Sequence, residues 1–316
     1  MNFKRLSNIL CMVGLMVMIS CGCSSCGEPK KADSPKDAYL VAYMKGNDET
    51  HMYYALAEKG FSFRTLNQGQ PILEASFNDR LVRDPMVFKD QKGIYHLVAT
   101  VSWTKRPFTV WDSKDLIHWE NERLIDVAPE GASKTWAPEF FYDEEQDIYF
   151  VHWTAEVNND WNTAAIYYAT THDFKTFSEP KVLFSDEVGI LDANINKING
   201  KYYLVYRKNG IWVATSDHAQ GPYGNQYQLT ADNVEGPYVF PLNDGSGYGI
   251  VWDYFGNSAG FGLWTSPNFK DWTRLTNAKA PYYNDLVEFP AGIRHGSIIG
   301  ITAEEKKALL DAFGEN

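Results

Sequence analysis

Apolar and polar positions alternate with a period of two through most of residues 38–300. The runs include Tyr39-Leu-Val-Ala-Tyr-Met44, Tyr95-His-Leu-Val-Ala99, Ile148-Tyr-Phe-Val-His-Trp153, Tyr202-Tyr-Leu-Val-Tyr206 and Tyr248-Gly-Ile-Val-Trp252. Such short runs, rich in β-branched and aromatic residues, predict strands and not amphipathic helices. Turn-forming pairs precede them, among them Lys92-Gly93, Asn199-Gly200 and Asp244-Gly245. At these pairs positive φ costs little and a hairpin closes readily.

A longer pattern overlies the alternation. After each hairpin a strand ends in Ser or Thr and is followed by a polar turn and an aromatic: Trp111-Asp-Ser-Lys-Asp-Leu-Ile-His-Trp119, Ala169-Thr-Thr-His-Asp-Phe-Lys-Thr-Phe177 and Trp264-Thr-Ser-Pro-Asn-Phe-Lys-Asp-Trp272. Weaker copies lie at Ala57 to Phe63 and Ala214 to Tyr223. Five such turns imply five units, whose innermost strands begin near Asp84, Glu139, Asp192, Glu235 and His295. The spacing suits propeller blades of roughly 40–50 residues with variable loops.

The expected fold is therefore all-β, a five-bladed β-propeller over residues 38–316. The N-terminal strands at 38–68 lack an innermost partner and the strand at 294–300 lacks outer ones. Pairing them completes one blade and removes open sheet edges. Thr302-Ala-Glu-Glu305 has the form of a capping box opening a short C-terminal helix, in which Leu309, Leu310 and Phe313 can pack.

Residues 1–26 read as an export segment. Lys4 and Arg5 precede an apolar run from Ile9 to Ile19, too short to span a bilayer, and then Ser20-Cys-Gly-Cys-Ser-Ser-Cys26. That context resembles a bacterial lipoprotein signal with Cys21 as the acylated residue; a plain secretory peptide is the alternative. Either predicts export, and the first predicts lipid anchoring at a periplasmic or cell-surface membrane. Residues 27–37 read as a polar tether. Cys11, Cys23 and Cys26 also lie in the leader, so the processed chain carries no thiol for a disulfide or a Cys-based metal site.

The net charge of -11 becomes more negative once Lys4 and Arg5 are removed, which excludes nucleic acid as an expected partner. No protein partner is predicted. The 15% aromatic content, with ten tryptophans, serves a core but also suits stacking against sugar rings. In a propeller the starts of all inner strands converge on one end of the axis. Singly, each acid there has a turn explanation, including Asp84 before Pro85 and Glu235 before Gly236 and Pro237. Four acids at the starts of successive inner strands suggest a shared pocket, where crowded like charges raise one another's pKa and keep one carboxyl protonated. No Gly-x-Ser-x-Gly setting supports a serine nucleophile.

The motifs Arg83-Asp-Pro-Met-Val-Phe88, Thr135-Trp-Ala-Pro-Glu-Phe140, Leu191-Asp-Ala-Asn-Ile195, Glu235-Gly-Pro-Tyr-Val239 and Arg294-His-Gly-Ser-Ile298 occur in this order. Together they resemble the successive blade motifs of glycoside hydrolase family 43. The resemblance implies an inverting glycosidase acting on plant-type polysaccharides, with α-L-arabinofuranosides ahead of β-xylosides or an endo-arabinanase activity. By motif, Asp84 corresponds to the general base, Glu235 to the general acid, and Asp192 to the acid that positions Glu235 and keeps its pKa high. An inverting pair stands about 6.5–9.5 Å apart to admit the attacking water.

Glu139 is a fourth acid, read either as a substrate hydrogen-bonding group or as a structural turn residue. Mapping Arg83-Asp-Pro onto the related families 32 and 68 would make Glu139 the acid, but their upstream Asn-Asp-Pro motif is absent. Trp136 is expected at the pocket wall, Trp103 and Trp161 as outer sugar platforms or core, and Arg294 at a substrate hydroxyl. No cofactor is required. His295 lies where some family members place a histidine near an axial calcium ion or water cluster, which makes it the candidate metal residue. A lone histidine is nonetheless more often a hydrogen-bonded core residue. The competing reading from another class is a non-catalytic glycan-binding surface lipoprotein.

Overall fold

The structure, a computed structural model, describes residues 34–77, 79–255, 260–276 and 283–314. The expected signal segment, Cys21 included, and most of the expected tether lie outside these residues. The first strand begins at Lys36, so the last two residues assigned to the tether belong to the propeller instead. They are held there because Lys36 pairs with Thr302, and Asp37 meets Lys306 at 2.5 Å.

Among the described residues five antiparallel sheets form the blades of the expected propeller. Blade 1 comprises Arg83–Lys89, Tyr95–Thr100, Phe108–Ser113 and Glu120–Ile125. Blade 2 comprises Trp136–Asp143, Ile148–Val157, Asp160–Thr171 and Lys181–Phe184. Blade 3 contains Leu191–Ile198, Lys201–Arg207, Ile211–Ser216 and Gly224–Thr230, and blade 4 contains Glu235–Pro241, Tyr248–Asp253, Phe261–Ser266 and Thr273–Arg274. Blade 5 is the composite one. Its inner strand Ile293–Thr302 pairs with Lys36–Lys45, which continues to Asp48–Ala57 and Arg64–Thr65.

The repeated outer turns have a common physical cause. In blade 1 the Ser113 hydroxyl accepts from the Leu116 amide, while Asp115 accepts from the amides of Ile117 and His118. Thr171 with Asp173 and Ser266 with Asn268 repeat the arrangement in blades 2 and 4. These side-chain bonds supply turns that backbone pairing cannot. They also hold Leu116, Phe174 and Phe269 at positive φ with their side chains buried between blades.

The core lies between neighbouring sheets and is dominated by aromatics, with Trp111, Trp153, Trp252, Tyr202, Tyr206 and Phe150 among the largest buried side chains. Tyrosines join blades at the end opposite the inner-strand starts. The Tyr149 hydroxyl accepts from the Gln91 amide at 3.0 Å, Tyr202 donates to Asp143 at 2.7 Å, and Tyr39 accepts from the Asn243 amide at 2.7 Å. The C-terminal helix Ala303–Phe313 has the full capping box, with Thr302 and Glu305 each bonding the other's backbone. Leu309 is buried, and Leu310 and Phe313 pack beside it.

Closure of the ring is tight at Gly296, where a Cβ would lie 2.2 Å from the Ala42 carbonyl oxygen and 2.9 Å from Tyr43 Cα. Both atoms belong to backbone and cannot rotate away. Gly296→Ala is therefore expected to lower unfolding stability by about 1–3 kcal/mol or more, read from the midpoint of a urea transition. An unchanged midpoint would show that this seam tolerates expansion.

Candidate active site

Most of the pocket comes from the first residues of the inner strands, with Glu49 and Trp103 added from outside them. Arg83, Trp136, Leu191, Glu235 and Arg294 stand at the starts of the five inner strands, and all five line one cavity of about 190 Å³. In blades 1 to 4 the next residue begins a bulge, since pairing slips by one between Arg83 and Met86, Trp136 and Glu139, Leu191 and Asn194, and Glu235 and Tyr238. In blade 5 the irregularity skips His295. Bulges re-aim side chains that a regular strand would direct elsewhere. Asp84 and Asp192 accordingly sit at φ 53° and 52°, a region that aspartate tolerates better than most residues. Both line the pocket, as does His295.

Gly236 is the bulge residue of blade 4, at φ 57°. A side chain there would meet the His295 ring, because a Cβ would fall 2.8 Å from its carbons. Glycine thus admits the imidazole beside Glu235.

The acids do not occupy equivalent places, which corrects the expectation drawn from their spacing. Glu235 is the first residue of its strand, Asp84 and Asp192 are bulge residues, and Glu139 lies beyond the bulge of blade 2. Glu139 is one step farther along the axis and does not line the cavity. It is buried and accepts a 2.6 Å bond from Asn194. Burial, with Asp192 and Asp84 near it, pushes its pKa up to about 8.

Opposite electrostatic environments separate the remaining carboxylates. Burial works against the charge of Asp84, but His295 Nδ1 at 3.0 Å, Arg83 and the Thr100 hydroxyl at 2.7 Å outweigh it. Asp84 is therefore held ionised well below the ordinary carboxylate range. For Glu235, burial and then the charge of Asp192 raise the pKa, only partly offset by Arg294 at 2.7 Å. Burial also raises Asp192, which accepts from the Gly236 amide at 2.9 Å and is thereby fixed against the strand carrying Glu235. A carboxylate kept charged beside a carboxyl pushed toward its protonated form supplies the ingredients of paired acid and base catalysis.

The walls are aromatic and cationic. Trp103 stacks on the Arg83 guanidinium at 3.9 Å and donates to Glu49 at 3.1 Å, while Arg83 also pairs with Glu49. Trp103 meets Trp136 edge-on at 5.8 Å, and Trp136 lies 5.9 Å from Trp161 at a 40° tilt. Trp103 and Trp161 are 46% and 39% exposed, so neither is core. Trp161 lies outside the pocket lining, next in line after Trp136. Glu49 escaped the sequence reading because it comes from the second strand of blade 5, far from any inner-strand motif.

His295 does not fit the metal role. Burial disfavours its charged form, but Asp84, Asp192 and Asp253 override this and push its pKa up to about 10. A protonated imidazole has no lone pair for a cation. Among the described residues no group of three or more His, Cys, Asp or Glu side chains is arranged to hold a metal ion.

The fold and this pocket define a propeller glycoside hydrolase. The family model described as "Probable glycosyl hydrolase domain", of the glycoside hydrolase 43-related type, matches residues 34–307, and the chain belongs to that family. An α-L-arabinofuranosidase of Bifidobacterium longum subsp. longum is 28% identical over 190 residues, covering 50% of this chain and 18% of that protein. The chain thus spans under a fifth of that relative's length. Among solved structures, an endo-1,4-β-xylanase from Bacteroides thetaiotaomicron superposes with a TM-score of 0.59 at 17% identity, over 78% of this chain and 94% of the other. An α-L-arabinanase of Cellvibrio cellulosa gives 0.56 at 15% identity, over 74% and 92%. At these identities the structural likeness concerns the fold.

The Asp84–His295 pair also links stability to pH. A histidine whose pKa rises from about 6.5 unfolded to about 10 folded stabilises fully below the first value and loses that contribution as pH climbs through the second. Between pH 6.5 and 10 the melting temperature of the wild type is therefore expected to fall more than that of His295→Gln. Parallel curves would show that His295 is neutral in the folded protein.

Proposed function

We propose that the protein is an inverting, exo-acting or debranching glycosidase that removes single pentose units, α-L-arabinofuranosyl residues first, from plant-type glycans. Carrying this reading are the opposite directions in which one small pocket biases its two acids, Asp84 toward the carboxylate and Glu235 toward the protonated form. Asp84 takes the proton of a water as that water attacks the anomeric carbon, and Glu235 donates its proton to the departing oxygen on the opposite face. Asp192 holds the Glu235 strand and its negative charge favours the protonated acid. His295 and Arg83 keep Asp84 ionised between turnovers.

Size supports action on a terminal unit. The cavity of about 190 Å³ is smaller than the roughly 300–1,000 Å³ of sites that enclose larger ligands. The rest of the substrate then lies outside, where Trp136, Trp103 and Trp161 offer ring faces and edges toward solvent. A purely glycan-binding protein would gain nothing from two buried acids and a third, partly buried one in its pocket. The α-L-arabinofuranosidase relative favours arabinose over xylose as the sugar. Export and a lipid on Cys21 complete the reading; Cys21→Ser is expected to move the protein from the membrane to the soluble fraction.

Glu235→Gln is expected to lower turnover of alkyl or oligosaccharide arabinofuranosides by ~10²–10⁴-fold, with a much smaller loss on a dinitrophenyl arabinofuranoside whose leaving group needs no proton. Asp84→Asn is expected to suppress both substrates alike, because water attack is common to them. Equal losses for Glu235→Gln on both substrates, or full activity in either variant, would overturn the roles.

A further inference from the structure

In blades 1, 2 and 4 the second-strand residue opposite the first residue of the inner strand has a recurring task. Thr100, Thr154 and Asp253 are the partners of Arg83, Trp136 and Glu235 in blades 1, 2 and 4. Each accepts the backbone amide of the next blade's bulge residue. Ala137 donates to Thr100 at 2.8 Å, Asp192 to Thr154 at 3.1 Å, and His295 to Asp253 at 3.1 Å. A hydroxyl suffices for this bond in two blades. Blade 4 uses a fully buried carboxylate, whose charge is costly to bury without a partner.

The partner is Arg294, whose Nε donates to the same Asp253 oxygen while its Nη2 reaches Glu235 at 2.7 Å. We propose that Asp253 is a positioning residue for the acid: it holds Arg294 against Glu235 and cancels the guanidinium charge that Glu235 would otherwise feel in full. An uncompensated arginine at that distance would favour the carboxylate and strip the acid of its proton. With Asp253 present, Arg294 can orient Glu235 and face the substrate without abolishing its acidity. The charged groups facing Glu235 are Asp192 of blade 3, Asp84 of blade 1, and Arg294 and His295 of blade 5. Removing Asp253 shifts that balance toward positive charge. Burial pushes Asp253 itself up to about 6 against the pull of Arg294, so it is charged at neutral and alkaline pH.

This inference rests on Glu235 being the general acid, and its test separates the two ideas. Asp253→Thr installs the residue that blades 1 and 2 already use and keeps an acceptor for the His295 amide. The pH profile of kcat/KM on an oligosaccharide substrate is the readout. Its alkaline limb is expected to move down by about one pH unit or more in Asp253→Thr and in Asp253→Asn. Adding Arg294→Gln to Asp253→Thr is expected to return the limb toward its wild-type position, at a reduced kcat/KM. A folded Asp253→Thr protein with an unmoved limb would overturn the proposal, as would failure of both single variants to fold, since either marks Asp253 as structural only. If Glu235→Gln loses as much activity on the dinitrophenyl substrate as on the oligosaccharide, the assignment of the acid fails instead.

Discussion

Everything at the pocket depends on the register in which the first strand of the propeller pairs with the last. Lys36–Lys45 lies against Ile293–Thr302, with Tyr39 opposite Gly300 and Met44 opposite Arg294. That register decides which residues of the C-terminal segment reach the axis. Because the irregularity that brings both Arg294 and His295 to the pocket sits at one place in this pairing, a slip of one residue would displace them from Glu235 and Asp84. The seam is locked from several sides. Gly296 leaves no space for a shift, Ser297 accepts the Val87 amide of blade 1 at 2.9 Å, and the capped helix pins the strand's end. Ring closure thus stabilises the fold and also delivers the two cations of the site.

Those cations let several acids share a buried space. Asp84 is balanced by His295 and Arg83, and Asp253 by Arg294. Glu235 is left undercompensated beside Asp192, and burial together with that neighbouring charge favours its protonated form. In the proposed roles the distribution serves function, because a base must be charged and an acid must hold its proton at the same pH. Hydrogen bonds turn it into fixed geometry. Thr100 donates to Asp84 while accepting from Ala137, and Asp192 accepts from Gly236. The Ala137–Thr100 and Gly236–Asp192 bonds each link one blade to the next, so displacement of one blade would disturb the pocket acid of its neighbour.

Much of this was legible in the sequence. Period-two alternation located the strands, the Ser/Thr turns marked the outer edges, and the unpaired strands at both ends foretold the composite blade. The pocket membership of Asp84, Asp192, Glu235, Arg294, Trp136 and Trp103 followed from strand phase and motif. Spacing alone could not reveal the bulges, which depend on local φ values at Asp84, Ala137, Asp192 and Gly236. For that reason Glu139 seemed equivalent to the other acids although it sits deeper. Glu49 and Asp253 were invisible for a different reason. They lie on second strands, and their importance comes from ion pairs with Arg83 and Arg294 across blade boundaries. The protonation of His295 likewise depends on three carboxylates from three other blades.

The central claim is that Asp84 and Glu235 act from opposite faces of one sugar in a single displacement. Proton NMR of the first product formed, recorded before mutarotation with an α-L-arabinofuranoside as substrate, tests this directly. The account predicts that the β anomer of arabinose appears first and then equilibrates. Initial release of the α anomer would require a covalent intermediate and would contradict it.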